Sequence, residues 1–296
     1  MENLANYIIL GIVNGFVYTL IAIGFVLIYK SSGVFNLAQG EMTIFGAYLF
    51  YALTIQFNLS IWIGIAGAIL FSAMIGLFIE RVFLRPLVGQ PILSIIILTL
   101  ALGGLLKGTM VLVWGSNWLS APPLFEYSDG FRMGQTILVS WGHSAFVITS
   151  LIVIILLALF YKFTKSGLAM RVTADDTVVA RALGINVSKV LAVCWSISAI
   201  VAAVSGVLLT NVIGISYIAS NIGFTAMAVA LVGGLESLAG MVIIGPVIGI
   251  IEYVAAGYLD PLVDGGMREV APWVVLMIVL IIRPYGLFGW KKIERI

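Results

Sequence analysis

Three polar side chains stand close together between two apolar stretches near the start of the chain. Asn36, Gln39 and Glu41 lie in the sequence NLAQGE, and the apolar run that follows, from 42 to 57, is short. A helix needs roughly 20 residues to cross a bilayer, so a spanning helix here has to begin before Glu41 and carry polar groups into the membrane. Polar groups at that depth are tolerated against protein or along a water-filled passage. We therefore predict that Asn36, Gln39, Gly40 and Glu41 line a translocation path.

The same residues have a simpler interpretation. Asn36 and Glu41 could cap and charge the first turn of a helix that starts at the inner headgroups, because acidic residues are favoured at helix N-termini. The residue types alone leave both interpretations open.

A second carboxylate, Glu252, lies deeper in a predicted span than any other acidic residue, in the sequence IGPVIGIIEYVAAGYL. It could face the path, be protonated, or pair with Lys107, the only basic residue away from the ends of a predicted span. An unpaired charge in the bilayer is unfavourable, so we prefer the ion pair with Lys107. Glu252 is nevertheless included among the candidate path residues.

Glycines interrupt the apolar segment from 220 to 258. The sequence GGLESLAG, which contains Gly233 and Gly234, divides this segment into what we predict to be two short helices. Discontinuous helices form transport sites in which free N–H and C=O groups meet the substrate. We therefore add Gly233 and Gly234 to the predicted path. The alternative is a tight hairpin of two thin spans.

The composition is that of a membrane protein. Hydrophobic residues make up 62% of the 296 residues and charged residues only 9%, against roughly 25% charged residues in soluble domains. Apolar runs of about 20 residues recur, without the alternating segments typical of a β-barrel. We predict an all-α, polytopic transmembrane helical bundle of about eight or nine spans, some short or discontinuous. The nine apolar spans lie near 7–29, 38–57, 61–83, 92–114, 143–162, 189–212, 222–236, 240–258 and 271–283.

Basic residues orient these spans. Most of them lie at 81–85, at 162–189 and in the C-terminal tail, and the positive-inside rule places those segments in the cytoplasm. The N-terminus is then outside, unless one short span is re-entrant, which reduces the count to eight and reverses the N-terminus. The predicted organisation is one transmembrane domain over 1–296, an external loop at 115–142 and a cytoplasmic loop at 163–189.

The cytoplasmic loop contains a predicted amphipathic helix. Thr173 followed by Asp176 matches a capping box, and Gly184 is placed to end the helix that Thr173 starts. An apolar stripe outside the membrane either folds back on the spans or docks into a groove on a partner. Four apolar residues at helical spacing share one stripe of this segment: Leu168, Val172, Val179 and Leu183.

Several motifs together resemble one known family. The string GLAMRVTADDTVVARALGI is similar to the coupling segment of the branched-chain amino acid ABC transporter permeases, in particular the H-type subunit. NLAQGE, the RPL at 85–87, the GG at 233–234 and the closing RPYGLFG are similar to patterns of that family, in the same order along nearly the whole chain. Gln39 stands where many members carry His, and Glu236 stands where a small residue is usual.

This resemblance implies a permease subunit of a binding-protein-dependent importer in the cell (inner) membrane, with a cytoplasmic C-terminus. The implied partners are a second homologous permease in a heterodimer, two cytoplasmic ATP-binding subunits and an external substrate-binding protein. The implied substrate is a branched-chain or other hydrophobic amino acid, although similar permeases serve urea, short amides and other small organic solutes. The residues implied to receive the ATPase stroke are Thr173, Ala174, Asp175, Asp176, Val179, Arg181, Leu183 and Gly184.

Two other classes of protein were weighed. The sequence contains no G-x-x-x-x-G-K-[ST] phosphate loop, so any ATP energy must come from another chain. A secondary transporter or channel driven by an ion gradient would use Glu41 and Glu252 as proton or sodium sites, but it would need no docking helix. A membrane enzyme is not supported by any nucleophile–base pair, metal-ligand spacing or cofactor motif. We therefore expect a non-enzymatic transport subunit with no metal or cofactor.

Overall fold

The computed structural model describes residues 2–87, 90–124, 130–133 and 137–289. These ranges are mostly helical, and six of their helices are long and apolar enough to cross a membrane. The prediction of a multi-pass helical membrane protein is confirmed. The six candidate spans are Leu4–Ser32, Ile61–Leu87, Ile92–Trp114, Trp141–Phe163, Val187–Asn211 and Leu238–Val263.

The helices are numbered in chain order. They are α1 (Glu2–Ser32), α2 (Gln39–Tyr51), α3 (Ile61–Ile79), α4 (Ile92–Trp114), α5 (Trp141–Phe163), α6 (Lys165–Asp175), α7 (Thr177–Ala182), α8 (Val187–Ile213), α9 (Ile222–Gly233), α10 (Leu238–Val263) and α11 (Met267–Ile282). A π-helical turn, Ala52–Gln56, extends α2, and another, Glu80–Leu84, extends α3. A 3-10 turn, Tyr217–Asn221, precedes α9.

Two short strands depart from the all-α prediction. β1 (Gly130–Met133) and β2 (Ile137–Ser140) pair antiparallel, with Gly130 opposite Ser140. They lie in the predicted external loop at 115–142, of which residues 125–129 and 134–136 are outside the described residues. A hairpin satisfies the backbone N–H and C=O groups of this connection locally.

The count of eight or nine spans is not confirmed. Six of the nine predicted apolar spans coincide with the six candidate spans. The other three correspond to α2, α9 and α11, which contain 13, 12 and 16 residues. Each of these helices is shorter than the roughly 20 residues that a spanning helix needs. These three helices are therefore not among the six candidate spans, and the count of eight or nine stays a prediction.

The described chain divides into two compact units that interleave in sequence. The first comprises 1–26, 125–151 and 224–296, and the second comprises 27–124 and 152–223. Each unit is described by itself, and the single transmembrane domain over 1–296 remains a prediction.

In the first unit, α1 and α10 approach so closely that glycine is required at their contact. A Cβ atom on Gly11 would lie 2.6 Å from the Cα atom of Ile250, and a Cβ atom on Gly249 would meet the backbone of Gly11 and Gly15. Thr19 secures the same contact, since its hydroxyl donates to the carbonyl oxygen of Met241 at 3.1 Å. Small residues let the backbones of two helices pack closely. Such packing is needed in a membrane, because lipid provides no hydrophobic effect that drives helices together.

The break between α9 and α10 is as predicted, but the second helix is not short. α9 ends at Gly233 and α10 has 26 residues, because its apolar run continues through Pro246. Proline is tolerated inside a membrane helix where neighbouring groups satisfy the freed backbone carbonyl. The C-terminal segment packs on the break, with the Leu287 N–H donating to the Val232 carbonyl oxygen at 2.8 Å.

In the second unit, α8 is the central helix, with α2 and α3 packed against it. Glycines again permit the close contacts. A Cβ atom on Gly206 would collide with the carbonyl oxygen of Thr43, and one on Gly46 would lie 2.5 Å from the Cα atom of Ala203. Nine of the 13 residues of α2 are buried, including the polar residues Gln39 and Thr43.

The predicted cytoplasmic helix is two helices. α6 ends at Asp175, and Asp176, with φ −158°, starts α7. Its carboxylate accepts hydrogen bonds from the N–H groups of Val178 at 2.6 Å and Val179 at 3.1 Å. The prediction that Thr173 caps the helix is wrong, because Asp176 takes the free N–H groups and Thr173 lies buried inside α6. The prediction that Gly184 ends the helix is confirmed, since Gly184 has φ 78°.

Candidate functional site

The start of α2 carries a buried cluster of polar side chains. The Asn36 side-chain amide donates to Oε1 of Gln39 at 3.1 Å, and the Ser198 hydroxyl on α8 donates to the same oxygen at 3.0 Å. Asn36 Oδ1 accepts from the Ala38 N–H at 3.1 Å. All three polar side chains, of Asn36, Gln39 and Ser198, have no exposed surface. We call Asn36, Gln39 and Ser198 the amide cluster.

One donor of the amide cluster has no partner. Within the described residues, Nε2 of Gln39 is buried and makes no hydrogen bond. A buried donor without an acceptor is unfavourable by about 1–3 kcal/mol. An oxygen atom of water or of a passing solute would satisfy this amide, which is the chemistry expected of a polar group in a translocation path.

The helix start predicted from the sequence is correct. α2 begins at Gln39, before Glu41, and the preceding Ala38 supplies no side-chain cap. Asn36 turns its Oδ1 to the Ala38 N–H instead of to the first turn of α2. The simpler interpretation, in which Asn36 is the N-terminal cap of this helix, is therefore wrong for Asn36.

Gly40 holds α2 against the 3-10 turn before α9. A Cβ atom on Gly40 would lie 2.9 Å from the Cα atom of Gly223 and would also collide with the carbonyl oxygen of Ser220. No other residue fits this crossing without moving the backbone. The observed contact therefore gives Gly40 a packing function, and its membership of the path remains a prediction.

Glu41 lies on the next position of α2, partly buried. Its carboxylate interacts with the Ser220 side chain and with the charge of Lys107. A Cβ atom on Gly103 would lie 3.3 Å from Oε2 of Glu41, so this glycine leaves room for the carboxylate. The Lys107 ammonium lies 5.7 Å from the centre of the Tyr217 ring. Glu41, rather than Glu252, is therefore the acidic group near Lys107.

Glu252 belongs to a separate polar network in the first unit. Its Oε1 accepts from Arg268 Nε at 2.7 Å and from the Tyr18 hydroxyl at 2.9 Å. Arg268 also donates to the Tyr253 hydroxyl at 2.9 Å. The predicted pairing of Glu252 with Lys107 is wrong. Arg268 takes that place: it lies in the first turn of α11, which packs against α10, and its side chain reaches Glu252.

Gly233 and Gly234 lie at the break between α9 and α10. A Cβ atom on Gly234, whose φ is 92°, would meet the backbone of Gly289, and a Cβ atom on Gly233 would lie 2.6 Å from the methyl carbon of Met241. The closing motif RPYGLFG thus supplies the segment that packs on these glycines. Their place in a path stays a prediction.

The sequence reasoning missed three residues that complete these sites. Ser198 and Arg268 are described above. Thr99 on α4 holds the loop before α2, because its hydroxyl accepts from the Leu37 N–H at 3.2 Å and donates to the Ile96 carbonyl oxygen at 2.9 Å. A hydroxyl within an otherwise apolar span was the only available signal for Ser198 and Thr99.

The segment 163–189, which the sequence predicts to be cytoplasmic, presents apolar side chains outside the six candidate spans. Leu183 is 68% exposed, and Leu168 and Val179 are also exposed, whereas Ala180 is fully buried. Arg171 fixes α6 to the end of α5, since its guanidinium donates to the carbonyl oxygens of Tyr161 and Lys162. The predicted coupling residues divide into one buried residue, Thr173, and seven exposed residues, namely Ala174, Asp175, Asp176, Val179, Arg181, Leu183 and Gly184.

Within the described part of the chain, no three His, Cys, Asp or Glu side chains group closely enough to hold a metal ion. The apolar helices, the buried amide cluster and the exposed apolar segment define a multi-pass membrane protein of the transporter class.

Residues 7–283 match the family model described as branched-chain amino acid transport system / permease component. The chain is 31% identical to the high-affinity branched-chain amino acid transport system permease protein LivH of Escherichia coli K12, over 97% of this chain and 96% of LivH. It is 29% identical to the corresponding protein BraD of Pseudomonas aeruginosa, over 97% of this chain and 96% of BraD. The chain therefore belongs to the family of branched-chain amino acid transport permease components, which confirms the resemblance of its motifs.

A solved structure, PsaBC from Streptococcus pneumoniae in complex with Fab, is similar in fold. The TM-score is 0.50 at 16% sequence identity, and the similarity covers 96% of this chain and 93% of that chain. At this level of identity the similarity concerns the fold alone.

Proposed function

We propose that the chain is the permease subunit of a binding-protein-dependent ABC importer for branched-chain or other hydrophobic amino acids. The family match over residues 7–283 carries this conclusion. The relatives LivH and BraD are named as permease proteins of branched-chain amino acid transport systems. The chain acts with separate ATPase subunits, a second homologous permease and an external substrate-binding protein, and its C-terminus is cytoplasmic.

The amide cluster and Glu41 form the polar part of the translocation path. An amino acid in transit carries both an ammonium and a carboxylate group. Nε2 of Gln39 is a free donor for the carboxylate, and Glu41 is a partly buried acceptor for the ammonium. Gly40 packs α2 against the turn before α9, and Gly233, Gly234 and Glu252 are further members of the path.

The exposed apolar side chains of α6 and α7 dock into the ATPase subunits. Leu183, Val179 and Leu168 are exposed where the chain leaves the candidate spans, and an apolar face of this kind is stabilised by a groove on a partner. The buried Ala180 and the contacts of Arg171 attach the segment to α5 and α8. A conformational change in the ATPase subunits is thereby transmitted to the membrane-spanning helices.

Leu183→Asp tests the coupling. A charge placed in an apolar interface is strongly unfavourable, so we expect ATPase association and ATP-driven leucine uptake to fall at least tenfold, about 1.4 kcal/mol or more. Co-elution with the ATPase and uptake into vesicles are the measurements. Ser166→Asp is the matched control, because it puts the same charge in the first turn of α6, where it is favourable. Unchanged association and uptake in Leu183→Asp would disprove the docking.

Glu41→Gln tests the path. The substitution keeps size and hydrogen bonding but removes the charge, so we expect leucine uptake to fall about tenfold, as for the loss of a charged hydrogen bond, with assembly intact. Glu236→Gln is the control, since it removes a carboxylate that lies in the break between α9 and α10. Normal uptake in Glu41→Gln would make Glu41 a helix-end charge only.

The same vesicles separate the importer from a secondary transporter. Vesicles that contain only this chain should accumulate no leucine under an imposed proton or sodium gradient, because the energy comes from ATPase subunits. Nucleotide-free accumulation in those vesicles would overturn the proposed function.

A further inference from the structure

The second unit contains a pocket that the proposed function does not use. Its volume is about 320 Å³, near the lower end of pockets that hold small molecules. It lies among the ends of α1, α3, α4 and α8 and against α7. Its polar lining comes from Ser31, Ser32, Glu80, Gln90, Thr177 and Arg181.

Glu80 is the unusual member of this lining. Its side chain is only 3% exposed, and within the described residues its Oε1 accepts no hydrogen bond. A buried carboxylate oxygen without a donor is unfavourable. Arg85 and Arg81 act on Glu80 only through the charge on their side chains. Glu80 therefore offers an acceptor to a cationic donor that enters the pocket.

The rest of the lining defines the other parts of an occupant. Arg181 of α7 contributes a guanidinium, which pairs with a carboxylate in two parallel hydrogen bonds, and Thr177 adds a hydroxyl. The remaining wall is apolar and suits an aliphatic side chain. It consists of Val34, Leu84, Ile92, Ile95, Val187, Leu191 and Trp195.

We propose that this pocket binds a free α-amino acid with an aliphatic side chain and thereby inhibits transport from the cytoplasmic side. The ammonium group pairs with Glu80, the carboxylate pairs with Arg181, and the side chain lies on the apolar wall. Because Thr177 and Arg181 belong to α7, an occupant ties α7 to α3, α4 and α8 and restrains the coupling motion. The inhibition rests on the proposed coupling function of α7, whereas the binding does not.

The binding is tested with tritiated L-leucine on the assembled transporter in nanodiscs, without the external binding protein or ATP. We expect saturable binding that falls at least tenfold in Glu80→Gln and in Arg181→Gln. Lys189→Gln and Glu269→Gln are the matched controls, because they remove an exposed charge of the same sign that does not line the pocket, and they should bind as the original protein does. 4-Methylpentanoate and isopentylamine, which each lack one charged group of leucine, should compete at least tenfold less well than valine.

Three results would overturn the proposal. In the first, the original protein shows no saturable leucine binding. In the second, Arg181→Gln binds leucine as well as the original protein does. In the third, Glu41→Gln loses leucine binding while both pocket variants, Glu80→Gln and Arg181→Gln, retain it. The last result would assign the leucine to the translocation path. Arg181 is exposed, so its variant keeps the test decisive even if Glu80→Gln fails to fold.

The inhibition is measured as the initial rate of ATP-driven uptake into vesicles with and without leucine inside. We expect internal leucine to lower the rate several-fold in the original protein and to leave the rate of Glu80→Gln unchanged. The rate without internal leucine reports on the proposed function, and only the ratio of the two rates reports on the pocket. A ratio of one in the original protein would disprove the inhibition.

Discussion

Replacing Arg268 with Gln is expected to lower the free energy of unfolding by about 3 kcal/mol. The side chain of Glu252 is only 4% exposed. Its Oε1 lies 2.7 Å from Nε of Arg268, its ion-pair partner. Removing one partner of a buried ion pair leaves an uncompensated charge, which destabilises by about 3–5 kcal/mol. We expect the lower end of this range, because the Arg268 side chain is 47% exposed and water screens its charge.

A double-mutant cycle separates the charge from the packing of the arginine. In Glu252→Gln the neutral amide still accepts a hydrogen bond from Tyr18, so adding Arg268→Gln there should cost about 1 kcal/mol. The measurement is thermal unfolding of the purified protein in detergent. Cys194 is the only cysteine and is buried, so its reaction with a fluorescent thiol reagent reports unfolding. If Arg268→Gln lowered the free energy of unfolding equally in the original protein and in Glu252→Gln, then Arg268 would not stabilise a charge on Glu252.

The substitution Gly206→Ala is also expected to have a large effect. It should lower the free energy of unfolding by about 1–3 kcal/mol. A Cβ atom on Gly206 collides with the Thr43 carbonyl oxygen, which is backbone and cannot rotate away. The variant can be accommodated only by separating α8 from α2, and overpacking of this kind costs about 1–3 kcal/mol. We expect the thermal midpoint, followed through Cys194, to fall by several degrees.

The same contact positions the amide cluster, since Ser198 and Gly206 both lie on α8 and Gln39 and Thr43 both lie on α2. Gly206→Ala should therefore lower uptake in the fraction of protein that remains folded. Gly104→Ala is the matched control, because this α4 glycine has open space where a Cβ atom would be placed. Alanine favours a helix over glycine by about 1 kcal/mol, so the control should be neutral or slightly stabilising. A Gly206→Ala midpoint at or above that of Gly104→Ala would show that the two helices separate at no cost.

The start of α2 illustrates what a sequence pattern can predict. The short apolar run after NLAQGE required a helix that begins before Glu41, and α2 begins at Gln39. Asn36 and Gln39 lie together at this helix start, and their place in a translocation path remains a prediction. Ser198, which donates to Oε1 of Gln39, lies 159 positions further along the chain than Gln39, and no local pattern relates the two residues. Hydrogen bonds between distant segments depend on how helices pack, which residue spacing does not encode.

The segment from Thr173 to Gly184 shows where a local sequence pattern fails to predict the structure. The capping-box spacing predicted Thr173 as the N-terminal cap of a single helix, with Asp176 as its partner three residues later. The extended backbone of Asp176 instead divides the segment into α6 and α7, and its carboxylate caps the second helix. Thr173 is buried among neighbouring helices, so a tertiary contact overrode a local preference. Gly184 was predicted correctly because a left-handed backbone at a helix end strongly favours glycine.

The sequence by itself determined that this is a multi-pass helical membrane protein of the branched-chain amino acid permease family, because hydrophobic run length and ordered motifs are properties of the chain alone. Only the tertiary structure decided which charge pairs with Glu252, which hydroxyl joins Gln39, and that Glu80 and Arg181 line one pocket. The physical reason is that burial and pairing energies arise between segments far apart in sequence, and they exist only once the helices have packed.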